Sequence, residues 1–114
     1  MYLDYVLEQL GELGPVTSRA MFGGHGLYLG DHFFAIVYRD RLYFKTDDAS
    51  RPDYEARDSE PFRPNARQTL KNYWEVPAEV VEHRESAVEW AREAVACAAA
   101  GRGVRLVARS EKSQ

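Results

Sequence analysis

Asp47, Asp48, Asp53, Glu55, Asp58 and Glu60 crowd one polar stretch of this chain. Two carboxylates in a shared cleft, with their pKa values pushed apart, can do acid/base work. Arg51, Arg57 and Arg63 are interspersed among them, so the pattern reads as a solvated, mixed-charge surface. His25, His32 and His83 are the histidines and Cys97 is the only thiol, with no close zinc-ligand spacing among them. Each histidine is expected in a surface or hydrogen-bonding role, and His25 is the first to test because it sits between glycines. Ser18, Ser50, Ser59 and Ser86 lie outside any Gly-x-Ser-x-Gly elbow, and Cys97 lacks a local activation signature. The chemistry-bearing residues favour no reaction, and the expectation is a protein that is not an enzyme and uses no cofactor or metal.

Gly23, Gly24 and Gly26 form the second cluster, within Arg19-Ala-Met-Phe-Gly-Gly-His-Gly-Leu-Tyr28. Backbone amides freed of side chains can cradle a phosphate. This segment, however, has no Gly-x-Gly-x-x-Gly, no Gly-Lys-Ser/Thr ending, and strand-like residues where a helix should follow. A bend, or a contact surface for another protein built on Arg19, Met21, Phe22, Gly23, Gly24, Gly26 and Tyr28, fits better.

Arg63, Arg67 and Lys71 lie near Tyr73 and Trp74, a combination that could bind phosphates and stack on bases. Arg63, Arg67, Lys71 and Trp74 are therefore the candidate nucleic-acid contacts, set against a plainer role at a sheet edge. Arg102, Arg105, Arg109 and Lys112 make a second basic region, read as a mobile tail over 101–114. A net charge of −3 gives no overall pull toward nucleic acid.

These residues need elements to position them. Leu3, Val6, Leu7, Leu10 and Leu13 recur every three or four positions, which predicts an amphipathic helix stopped by Gly14-Pro15. From Val16 to Thr46, β-branched and aromatic residues are broken near Gly23-Gly24, Gly30-Asp31 and Arg39-Asp40-Arg41, the pattern of an antiparallel meander. The polar stretch to Asn65, with its prolines, predicts a loop holding a short helix around Ser50 to Arg57. Thr69 to Val76 reads as a returning strand. A last helix is predicted from Pro77 to about Ala99, stopped by Gly101 and Gly103. Among its aromatic residues, Tyr28, Phe33, Tyr38 and Tyr43 fall on the meander, where alternation buries some rings and leaves others for a partner.

With 114 residues the chain suits one domain, expected over 1–100. No apolar run approaches the roughly 20 residues that cross a bilayer, and the first residues do not have the form of a secretory signal. A cytoplasmic setting is expected, with a lone, buried Cys97.

The run Thr17-Ser-Arg-Ala-Met-Phe-Gly-Gly-His-Gly-Leu-Tyr28, the hairpin after it and the later Tyr73-Trp-Glu-Val-Pro77 resemble the amino-terminal domain of the TfoX/Sxy family. The likeness extends over roughly Leu3 to Ala99. It implies a bacterial two-layer α+β domain, an antiparallel sheet of about four to five strands with helices packed on it, similar to secretion-chaperone-like folds. It also implies a link to regulation of competence and DNA-uptake genes, without an established catalytic site, here in a stand-alone form without the carboxy-terminal helical domain of longer members. The leading expectation is a non-enzymatic interaction module, a regulatory adaptor with a protein partner or a second copy of itself. A direct DNA-binding regulator is the alternative, and a small-molecule sensor or enzyme the third.

Overall fold

The computed structural model describes residues 1–21 and 23–112, from 101 onward by backbone alone. Helix α1 spans Tyr2–Gln9 and buries Val6, with Leu10 just beyond it, while a 3-10 turn at Gly11–Leu13 and Gly14 at φ 140° end the helical segment. Four strands follow: β1 (Val16–Met21), β2 (Gly24–Leu29), β3 (His32–Tyr38) and β4 (Arg41–Lys45). Their turns fall at the predicted breaks. Gly30 takes φ 61°, and Arg39 and Asp40 take φ 50° and 60°, the left-handed pair that a two-residue hairpin turn requires.

The polar stretch holds the predicted short helix, α2 (Arg51–Glu55), and a strand that the sequence does not announce, β5 (Pro61–Asn65). With β6 (Gln68–Glu75) the sheet has six strands in the order β1-β2-β3-β4-β6-β5, all antiparallel, so the expected four to five is corrected upward. Pro61 and Pro64 suggest a loop because proline cannot serve an inner ladder. β5 is an edge strand, where a missing N–H costs little.

The single carboxy-terminal helix of the sequence reading is two helices, α3 (Ala78–Glu82) and α4 (Arg84–Lys112), because His83 adopts an extended conformation at φ −108°, ψ 116°. Ser86 stabilises the break: its hydroxyl lies 2.8 Å from the Val80 carbonyl and 3.0 Å from that of His83. The backbone of α4 also runs through Gly101 and Gly103 to Lys112 instead of stopping there. The side chains of the basic region lie outside the described residues.

Helices cover one face of the sheet. Val6 and Leu10 meet Leu27, Phe34, Ala35, Val37, Leu42 and Phe44 from the strands, closed by Val80, Val81, Ala87, Ala91 and Ala94. Gln9, buried at this junction, donates from its amide to the Val81 carbonyl at 2.8 Å and ties α1 to α3. Arg84, the one charged residue at helical spacing with Val80, Ala87, Val88 and Ala91, is exposed.

The opposite face carries a second cluster, Ile36, Tyr43, Phe62 and Tyr73, flanked by Phe33, Tyr38 and Leu70. Phe62 sits on β5, two strands from β4, yet its ring meets Tyr43 at 4.8 Å and Tyr38 at 5.2 Å. The β5–β6 hairpin therefore curls over this face and shields its middle, at Tyr38 and Tyr43.

Candidate interaction surface

The β1–β2 hairpin is shaped by its glycines, each for a different reason. Gly23 holds φ 80° in the turn. Gly24 has no room for a side chain, since a Cβ there would collide with the backbone carbonyl of Val37 on β3. A Cβ on Gly26 would meet Met21 Cε at 2.6 Å and Phe33 Cε1 at 2.9 Å, so these two side chains fill the space over Gly26. The glycines are thus the floor of a surface made by their neighbours. Phe22 lies outside the described residues.

On that floor, groups far apart in sequence line up. The exposed Arg19 guanidinium stands over the Tyr28 ring, 5.0 Å from its centroid. Tyr28 stacks on Phe33 with centroids 5.1 Å apart and planes at 23°, and Phe33 meets Tyr73 at 5.2 Å. Lys45 Nζ lies over Tyr73 at 5.2 Å. A row of three rings from β2, β3 and β6 therefore has a cation at each end. Each cation–ring contact at such a site is worth about 0.5–1 kcal/mol, so the row is organised without being needed to hold the sheet together.

A β-bulge makes the alignment work. Leu27 pairs with Ala35 but Tyr28 pairs with Phe33, leaving Phe34 as an extra residue. Phe34 and Ala35 both enter the helix-side core, while Phe33 is thrown to the other face against Tyr28. Burial pushes the Tyr73 hydroxyl well above the usual tyrosine range, keeping it a neutral donor.

The candidate nucleic-acid residues are arranged differently. Arg63 is exposed on β5 and its guanidinium pairs with Glu60 at 3.2 Å. Arg67 is exposed in the β5–β6 turn, its amide held by the Asn65 side chain at 2.8 Å. Lys71 is exposed, and its carbonyl accepts the indole N–H of Trp74 at 2.9 Å. The Trp74 ring is partly buried against the helix-side core, on the opposite side of the sheet from Tyr73.

The glycine-floored hairpin and the sheet around it fall inside residues 8–98, which match the family described as the TfoX N-terminal domain. The chain belongs to the TfoX N-terminal domain family. No curated protein matches it. The family is a non-catalytic, regulatory type, which makes this chain a regulatory-type module in general terms.

The remaining polar clusters of this TfoX N-terminal domain do structural work. Asp47 and Ser50 close the turn that leads into α2: the Ser50 amide donates to Asp47 Oδ1 at 2.8 Å and the Asp47 amide to Ser50 Oγ at 3.0 Å. The Ser50 amide holds the Asp47 carboxyl below its usual range. Ser50 Oγ also lies 3.8 Å from Cys97 Sγ, but burial pushes the thiol up, away from the reactive thiolate. A cleft of about 310 Å³ between α2 and α4 is lined by Asp53, Arg57, Glu89, Trp90 and Glu93. Arg57 lies over Trp90 at 5.0 Å, and Trp90 meets the buried Tyr54 edge-on at 4.9 Å, so this cleft marks the seam by which α2 docks. His25 and His32 are half-buried on β2 and β3, and His83 is exposed, its Nδ1 2.9 Å from the Glu79 carbonyl. Among the described residues no helix is long and apolar enough to cross a membrane, and no group of His, Cys, Asp and Glu could hold a metal ion.

Only part of the surface was expected. Arg19, Met21 and Tyr28 were candidate contacts. Phe33, Tyr73 and Lys45 join them through strand order and the bulge, and sequence spacing carries no signal for that.

Proposed function

We propose that this TfoX N-terminal domain is a non-enzymatic regulatory adaptor of the cytoplasm. It binds a protein partner through the sheet face that bears the second cluster, at Arg19, Met21, Tyr28 and Phe33. The observation that supports this reading is the cation-ended row, in which Arg19 lies over Tyr28 on the face opposite the helix-side core. Arg, Tyr and Met are the residue types enriched where proteins meet.

Affinity capture from the native host, with the full chain as bait, tests the reading. Arg19→Glu removes a cation–ring contact worth about 0.5–1 kcal/mol, and Tyr28→Ala removes the stack on Phe33 as well, so circular dichroism first confirms that each variant folds. Gly24→Val is unsuitable, since it breaks the floor itself. The expected result is a partner recovered by the native chain and lost by both variants, with transcripts of DNA-uptake genes altered in a strain carrying either one. Unchanged recovery in both would sink the reading. So would binding to DNA at low salt that falls steeply with added salt and with Arg63→Ala and Arg67→Ala.

A further inference from the structure

The two edges of the sheet are built differently. β5 has Pro61 and Pro64 among its five residues, and its pairing with β6 slips twice. Proline offers no N–H and slips twist an edge out of line, so β5 is a poor template for a further strand. β1 has none of these devices. Val16–Met21 keep an unbroken register with β2, contain no proline or glycine, and include one charge, Arg19. Thr17, Ser18, Arg19 and Ala20 are all exposed. The helix layer rests chiefly on β3 and β4; of β1 only Val16 packs against the helix-side core, and 17–20 lie beyond it, exposed.

We propose that β1 pairs antiparallel with β1 of a second copy about a twofold axis at Ser18, joining two six-stranded sheets edge to edge. Residues directly opposite in a ladder share a face, so an axis near the middle of β1 must pass through Ser18 or Arg19. At Arg19 it would set two guanidinium groups opposite one another, which is unfavourable. At Ser18 it sets the two Ser18 hydroxyls together, Arg19 opposite Thr17 of the second copy, and Val16 opposite its Ala20.

A second copy suits this edge better than a foreign peptide. Strand addition of a peptide draws its specificity from pockets for alternate side chains, and β1 offers Thr, Ser and Ala there. Two copies need only matching, flat, unguarded edges. The pairing stands independently of the adaptor reading, although it would bring two Arg19–Tyr28 rows onto one continuous face.

Sedimentation equilibrium of the full chain decides the matter. The wild type should show the mass of two chains. Ser18→Lys and Ser18→Glu, each placing like charges on the axis, should halve it, and an equimolar mixture of the two should restore it. Far-ultraviolet circular dichroism checks folding, which an exposed position favours. As a readout on the wild type alone, amide exchange over residues 16–20 should slow as protein concentration rises. A wild type with the mass of one chain, variants that keep the paired mass, or exchange independent of concentration would each overturn the proposal.

Discussion

Tyr73 donates its phenolic hydrogen to the backbone carbonyl of Phe33, 3.2 Å away, reaching past β4 to the place where β3 bulges. A bulge disrupts its ladder locally, and a buried carbonyl without a partner costs about 1–3 kcal/mol. Tyr73→Phe keeps the ring against Phe33 and deletes the donor. Stability should fall by about 1–2 kcal/mol, seen as a lower urea midpoint at unchanged slope. An unchanged midpoint would mean that the carbonyl finds another donor.

Alkaline pH should act on the same side chain. Burial raises the hydroxyls of Tyr54 and Tyr73 above the ordinary value of 10.0, so the folded chain holds these protons more tightly than the unfolded one. Their contribution is complete below about pH 10 and is lost as pH climbs toward their raised values. Urea midpoints should therefore be level up to pH 9 and drop beyond about pH 10. Tyrosinate absorbance should show some of the seven tyrosines ionising only as the fold gives way.

Two glycines should respond very differently to the same methyl group. At Gly24 the obstacle is the Val37 carbonyl, which cannot move without moving β3, so Gly24→Ala should cost about 3 kcal/mol or more. At Gly26 the obstacles include the free end of Met21, which can swing away, so Gly26→Ala should cost about 1 kcal/mol. Paired urea titrations compare them. Equal losses would show that the hairpin, and not β3, absorbs the strain.

Glu93 sits at an unfavourable site. Partial burial, followed by the nearby charges of Asp53, Asp47 and Glu89, raises its carboxyl above the ordinary 4.5. The folded chain therefore favours the protonated form, and the ionised form detracts from stability at neutral pH. Glu93→Gln should raise the urea midpoint modestly at pH 7, with the gain vanishing below about pH 4.5 as the native carboxyl takes up its proton. A gain that persists in acid would point to packing, not charge.

Most elements were legible because their cues are local. The aromatic and β-branched run His32 to Tyr38 and the turn residues at Gly30-Asp31 and Arg39-Asp40 mark the meander, and period-3.6 spacing marks α1 and the last helix. The misses also share a cause. Pro61 and Pro64 argue against a strand only if it is interior, and edge position is decided by the whole sheet. The stripe through Val80 and Ala87 resumes at helical spacing past His83, with Arg84 its one charged member, so the period alone does not signal that Ser86 can stabilise an interruption. Arg19 and Tyr28 could be named early because they share a hairpin. Lys45 and Tyr73 reach the same row only through the order β3-β4-β6, and Phe33 only through the extra residue at Phe34.

The prolines of β5 give the sheet a single growing end. A ribbon open on both sides could add chains indefinitely, as fibres do. One closed side means that any pairing along β1 uses up the open edge of each participant, so assembly by that route stops at a closed, finite particle.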